Sequence, residues 1–295
     1  VINLFNINNY VIDTSKLGNH LHGPVVDQFC KEFCEYVGAK YGCTLNSASN
    51  AIFLAMENKK LDVEIPAMLP PVVFNSLYNA GSNINFVDNT EWVGSSYTLY
   101  EDNDYKIIDS AQRVDRDQFH EANDDDLMIF SFYPTKPVGG MDGGIIVSNN
   151  KDKIDYFKQR SLNGMSFAEN NWEREQQSIG WKMYMNSSQA YVALQNLRKL
   201  DYKKTMLQSI RTYYNSVFNL ENTSDHLYRI TTTDRDDKIK ALHKMGIVSG
   251  IHYKPLSTFM CPSSMHEGNT TLSIPFHEKL TQEEVERVVE CINKL

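Results

Sequence analysis

Clusters of basic residues are missing from this chain. It carries 29 Lys and Arg against 37 Asp and Glu, a net charge of −8, and no run of cations stands out. Binding to a phosphate backbone needs a cationic patch, so nucleic acid is excluded as the expected partner, and the acidic balance favours solubility. Long apolar runs are missing too. Nothing approaches the roughly 20 residues that cross a bilayer, and Val1-Ile-Asn-Leu-Phe-Asn6 has neither the basic start nor the apolar core of an export signal. A cytoplasmic protein without membrane contact is expected. Cysteines are few and odd in number: Cys30, Cys34, Cys43, Cys261 and Cys291 are scattered and form no CxxC pair. Reduced core thiols are expected, with Cys30 and Cys34 on one helix face, and no metal site. Internal repeats and low-complexity linkers are also lacking.

What is present suits a globular enzyme. The 295 residues, 41% of them hydrophobic, suffice for a large domain and a smaller one. Val26, Phe29, Phe33 and Val37 recur at helical spacing between Gly23-Pro24 and Gly38. Strands are predicted at 41–45, 64–66, 84–88, 105–109, 127–130 and 145–147, with helices at 51–57 and 72–80 between them. This alternation predicts an α/β domain with a mostly parallel sheet over residues 1–200. From about Lys153 the pattern turns helical, through 187–200 and 204–218. Strands at 227–230 and 248–253, a helix at 236–245 and a capping box, Thr281-Gln-Glu-Glu284, before a terminal helix predict a small α+β domain over 201–295.

Lys136 is the leading chemical candidate. It ends Ser131-Phe-Tyr-Pro-Thr-Lys136, after the apolar strand Leu127–Phe130 and before the turn Gly139-Gly-Met-Asp-Gly-Gly144. Ligands of such sheets bind beyond the carboxyl ends of the strands. A lysine partly desolvated there loses pKa and becomes a nucleophile toward carbonyls, for which pyridoxal 5'-phosphate (PLP) is the natural aldehyde. Asn46-Ser-Ala-Ser-Asn50, a small polar turn leading into a helix, offers N–H groups to an anion. Taken singly, a lysine after a strand is ordinarily a solvated loop residue, and Asp109-Ser-Ala-Gln112 an ordinary turn. Their shared order and spacing carry the weight.

That order resembles the DegT/DnrJ/StrS sugar aminotransferases, PLP enzymes of the aspartate-aminotransferase fold (fold type I). The likeness runs through Phe29-Cys-Lys-Glu-Phe33, Asn46-Ser-Ala-Ser-Asn-Ala51, Phe86-Val-Asp88, Asp109-Ser-Ala-Gln112, Ser131–Lys136, Asp142-Gly-Gly144, Gln189-Ala190, Gln195–Asp201, Gly250-Ile-His-Tyr253 and Leu272-Ser-Ile-Pro275. The resemblance implies that Lys136 bonds the cofactor aldehyde and later shuttles the proton, and that Asp109 pairs with the pyridine nitrogen. It implies that Gln112 meets the ring hydroxyl and Ser131 the phosphate. Ser47, Ala48 and Ser49 match the family's Ser-Gly-Thr phosphate turn. Tyr133 is placed with the substrate, and His252 and Tyr253 fit either the substrate pocket or a satisfied core position. Trp92, Trp172 and Trp181 read as packing residues.

Three departures stand out. Only 21 positions separate Asp88 from Asp109, where the family carries a much longer stretch, so a strand-helix unit near the sugar pocket is expected to be missing. Lys182, in Gly180-Trp-Lys-Met-Tyr-Met185, takes the place of an Asn that reaches the phosphate of the neighbouring subunit; a charged donor suits the same anion, although a plain surface lysine is the alternative. Leu69-Pro70-Pro71 replaces the aromatic that usually stacks on the ring. The resemblance therefore implies a cytoplasmic homodimer with shared active sites that moves an amino group from L-glutamate to a nucleotide-linked 3- or 4-keto-6-deoxyhexose in polysaccharide biosynthesis. The alternatives are a PLP enzyme acting on a non-sugar ketone and a catalytically silent homologue that binds PLP or a nucleotide sugar.

Overall fold

The computed structural model describes residues 1–295 except residues 8, 9, 167 and 169. Pro24 opens helix α1 (Pro24–Val37), where its missing N–H costs nothing, and Gly38 closes it in the left-handed conformation at φ 78°. Strand β1 (Tyr41–Leu45) runs into α2 (Ala48–Met56), β2 (Asp62–Pro66) into α3 (Pro71–Asn79), and β3 (Asn83–Val87) follows. Then come β4 (Tyr97–Glu101), β5 (Lys106–Asp109), β6 (Leu127–Ser131) and β7 (Gly144–Ser148). Helices α4 (Lys151–Ser161), α5 (Ser187–Leu197) and α6 (Leu200–Phe218) lead to β8 (Tyr228–Thr231), α7 (Arg235–Lys244), α8 (Pro262–Thr270), β9 (Thr271–Ile274) and α9 (Gln282–Asn293).

Five strands form one sheet in the order β1-β7-β6-β5-β4, and β2 pairs with β3 in parallel. In the five-stranded sheet β1, β5 and β6 run one way, while β7 and β4 run against them. The α/β architecture is as expected, and β4 is the strand the sequence pattern does not announce.

Side-chain alternation divides the core. Met128 and Phe130 of β6 and Ile145 and Val147 of β7 meet Phe29 and Phe33 of α1 and Ala190 and Leu194 of α5. Leu127 and Ile129, together with Ile146 and Ile107, face the opposite way, toward Ile52 and Leu54 of α2 and Ile154 and Phe157 of α4. Strands covered on both faces read as unbroken apolar runs, which is why β6 and β7 show none of the two-residue polarity of a half-exposed strand. Phe29 and Phe33 are wholly buried, each contributing roughly 1.5–3 kcal/mol.

A third core gathers Leu207, Ile210 and Tyr214 of α6 with Tyr228, Ile230, Leu272, Val285 and Val288, and Ile2 joins it from the start of the chain. Thr281 caps α9 with the predicted reciprocal box to Glu284. The expected strand at 248–253 is not formed. Only Gly250 pairs, with Ser273, and Arg229 Nη1 donates to the His252 carbonyl at 3.1 Å, taking an acceptor that a ladder would need. Asp88 ties this part to β3 by accepting from the N–H groups of Ser263 (2.8 Å) and Ser264 (2.7 Å) at the start of α8, where the helix dipole favours an anion. All five cysteines are free thiols. Among the described residues no helix is long and apolar enough to cross a membrane.

Candidate active site

Alternation places the two key strand-end residues on one face. Asp109 continues the parity of Ile107, and Ser131 that of Ile129, so both emerge on the side covered by α2. They open into a cavity of about 460 Å³, together with Ser47, Ala48, Ser49, Gln112, Tyr133, Lys136, His252 and Tyr253. Ten of the eleven residues singled out from sequence therefore converge on one place, and Lys182 does not.

Lys136 reaches the cavity because the chain turns tightly after β6. Its N–H donates to the Tyr133 carbonyl at 2.9 Å, and the Gly140 N–H returns to the Phe132 carbonyl at 2.8 Å. Burial lowers the Lys136 amine to about 8, with the negative charge of Asp109 pulling it back up. Burial pushes the Asp109 carboxyl up; the N–H of Ala111, the hydroxyl of Tyr97 and the charge of Lys136 oppose it. Each group thus favours the ionised form of the other.

The α2 turn lines the cavity with Ser47, Ala48 and Ser49. Ser47 is the N-cap, its Oγ accepting from the Asn50 N–H at 3.2 Å. Helix α2 therefore starts at Ala48, three residues before the predicted Ala51, because that cap satisfies the first turn. The Ala48 and Ser49 N–H groups have no acceptor within the helix. Gly144 lets β7 pass this turn, since a Cβ there would lie 2.5 Å from the Ala48 nitrogen. Ser131 Oγ accepts from the Tyr133 N–H at 3.3 Å.

Gln112 is fixed from both ends. Its Oε1 accepts from the Gly94 N–H at 2.8 Å, and its Nε2 donates to the Tyr253 hydroxyl at 3.1 Å. The Tyr253 ring stacks on Trp92, with centroids 6.0 Å apart and planes 4° apart. His252 Nδ1 lies 2.9 Å from Ser273 Oγ. Burial, with the nearby charges of Lys136 and Arg229, lowers its imidazole to about 4, so it is neutral at physiological pH. Pro70 lies at the cavity and leads into α3.

Three residues of this site were missed from sequence. Tyr97 donates from its hydroxyl to Asp109 Oδ2 at 2.9 Å. Trp92, read as a packing residue, does pack on Tyr97 and Tyr253 but also lines the cavity. His226 lines it as well and is held neutral, chiefly by burial. The alternation of Tyr97 and Leu99 was the available signal for β4. Lys182 is exposed on an irregular segment paired with Leu162. Its neighbour Trp181 is anchored by Nε1 to Glu57 at 2.8 Å.

The sequence matches the model of the DegT/DnrJ/EryC1/StrS aminotransferase family over residues 5–90 and 120–293. Tyr97, Asp109 and Gln112 fall between the two matched blocks. A UDP-4-amino-4,6-dideoxy-N-acetyl-beta-L-altrosamine transaminase of Campylobacter jejuni is 23% identical over 337 residues, covering 92% of this chain and 89% of the relative. The Bacillus subtilis spore coat polysaccharide biosynthesis protein SpsC is 23% identical, with 97% and 93% covered. Helicobacter pylori PseC, an aminotransferase involved in the biosynthesis of pseudoaminic acid, superposes with a TM-score of 0.77 at 18% identity, over 98% of both chains. At that identity the likeness shows the fold.

Proposed function

The chain belongs to the DegT/DnrJ/EryC1/StrS aminotransferase family, and from that premise we propose that it is a PLP-dependent transaminase moving the amino group of L-glutamate to a nucleotide-linked keto-sugar. One observation carries the reading: a half-buried lysine, its amine desolvated and lowered to about 8, shares a cavity with a buried aspartate. The relatives named for sugar transamination or polysaccharide biosynthesis, aligned over most of their length, support the substrate class.

The residues present fit PLP. A phosphate suits the first-turn N–H groups of α2 with Ser49 and Ser131, a pyridinium suits Asp109, and the aldehyde suits Lys136. The Gly144 contact leaves room for no side chain between β7 and that turn. When bound, the cofactor supplies an electron-poor ring that stabilises negative charge on the substrate carbon.

The protein's own residues do the rest. Asp109 holds a proton at the ring nitrogen. Lys136 Nζ, neutral above about pH 8, takes the proton from the α-carbon of glutamate and delivers one to the carbon that receives nitrogen. Gln112, immobilised by Gly94 and Tyr253, orients the ring through its hydroxyl. Neutral His252 and His226 add no positive charge beside Lys136. Tyr133, His252 and Tyr253 line the substrate side.

Residues 1–200 are the cofactor-binding part and 201–295 the smaller one, in a cytoplasmic homodimer. Lys182, exposed beside Ile179 and Trp181, which are also exposed, would serve the phosphate of the second subunit's cofactor as a charged donor. The test is 2-oxoglutarate release on adding PLP, L-glutamate and a panel of nucleotide keto-sugars. Turnover surviving in Lys136→Ala, or no release with any acceptor, would overturn the reading.

A further inference from the structure

The short segment that stands between the two family-matched blocks does more than close a gap. Strand β4 pairs antiparallel with β5 in a register that sets Tyr97 directly opposite Asp109, and directly opposed residues point to the same face. The Tyr97 hydroxyl donates to Oδ2 of Asp109 at 2.9 Å, and the Ala111 N–H donates to Oδ1 at 2.9 Å. Each carboxylate oxygen therefore has one donor from the protein and keeps a lone pair.

We propose that Tyr97 is a positioning residue for the cofactor, whose hydroxyl fixes the Asp109 carboxylate with its remaining lone pair available to the ring nitrogen. This rests on the PLP reading of the cavity.

Several features make the arrangement rigid. Tyr97 and Asp109 are both buried, so water cannot replace the phenol as a donor without opening the wall. The Tyr97 ring packs on Trp92 with centroids 4.8 Å apart, and Trp92 in turn stacks on Tyr253. The ends of the two strands are pinned beside it: Ser96 Oγ lies 2.8 Å from Ser110 Oγ, and Gln118 Nε2 donates to both hydroxyls, at 3.2 and 2.6 Å. Gly94, two residues before Ser96, supplies the N–H that fixes Gln112. One short stretch thus holds both the residue assigned to the ring nitrogen and the residue assigned to the ring hydroxyl. Burial and the adjacent Asp109 charge raise the Tyr97 phenol well above its ordinary value, so it stays a donor throughout the working pH range.

The experiment compares two ligands. Dissociation constants are measured by absorbance of the bound cofactor for PLP, and by fluorescence quenching for an analogue whose ring nitrogen is replaced by CH. Tyr97→Phe keeps the ring and its packing but loses the donor. It should weaken PLP by about tenfold, the scale of one hydrogen bond to a charged group, and leave the analogue unchanged. Asp109→Asn should show the same selectivity with a larger loss. Equal loss of both ligands would reveal a packing role only and overturn the proposal, as would unchanged PLP affinity. If Tyr97→Phe does not fold by circular dichroism, 3-fluorotyrosine at position 97 replaces it. Its stronger donor should tighten PLP but not the analogue, and equal effects on the two would overturn the proposal. Wild-type protein that binds no PLP would sink the cofactor reading and this proposal with it; wild type that binds PLP while Tyr97→Phe is silent would sink the proposal alone.

Discussion

Arg160 and Glu57 meet inside the protein, Nε to Oε1 at 2.8 Å and Nη2 to Oε1 at 2.7 Å, with side chains only 9% and 4% exposed. Arg160 also donates to the Ile179 carbonyl, and Trp181 donates to the second Glu57 oxygen. The ends of α2 and α4 and the segment bearing Lys182 are thereby tied at one point. Removing the carboxylate strands a buried guanidinium, which costs about 3–5 kcal/mol. Glu57→Ala should lower the urea midpoint accordingly, and a midpoint equal to wild type would show that the pair carries no such weight.

The pH dependence of carbonyl capture follows from Lys136. Burial lowers its amine to about 8, against the raising effect of Asp109, and only the neutral amine attacks. The rate at which apoprotein takes up PLP, followed by stopped-flow absorbance, should rise through pH 8 and level off above it. Asp109→Asn removes the charge that favours the ammonium, so the rise should move to lower pH. A midpoint near that of free lysine would contradict the burial argument.

Gly144→Ala tests the phosphate turn proposed at α2. A Cβ 2.5 Å from the Ala48 nitrogen forces β7 and the α2 turn apart, an overpacking cost of about 1–3 kcal/mol. Thermal denaturation should register that loss, and equilibrium dialysis a weaker hold on PLP. Wild-type values for both would mean that the turn tolerates the displacement.

Sharing of sites between subunits can be checked by mixing. Neither Lys136→Ala nor Lys182→Ala homodimers should work well. A mixed dimer of the two contains one site with both lysines and should recover roughly half of wild-type activity, as two-fold symmetry requires. No recovery would place Lys182 outside the partner's site.

Much of this was legible because burial leaves a mark on sequence. Strands β6 and β7 are covered on both faces, so they read as apolar runs, and the residues at their ends could be named. The capping box at Thr281 is a local signal, and it formed as written. β4 left only a short signal, the alternation of Tyr97 and Leu99: Tyr97-Thr-Leu-Tyr-Glu101 is short and mixed in polarity, and it is a strand through its pairing with β5. The stretch 248–253 fails for the opposite reason, since its β-branched composition finds only one paired residue, Gly250. Tyr97 escaped notice because a tyrosine's partner across a sheet depends on register, which composition does not encode. The place of Trp92 depends on the path of the 89–96 connection, likewise a tertiary matter.

The β4–β5 hairpin has a kinetic consequence. Tyr97 and Asp109 are only 12 residues apart, so closing the loop that joins them costs little chain entropy. A crossover helix in the same place would postpone that contact until distant parts of the sheet had assembled, whereas a hairpin forms on the microsecond scale of about 1–10 μs. Asp109, the acid proposed for the ring nitrogen, is thus partnered by a neighbour in sequence, and its alignment can be in place before Lys136 has found the cavity.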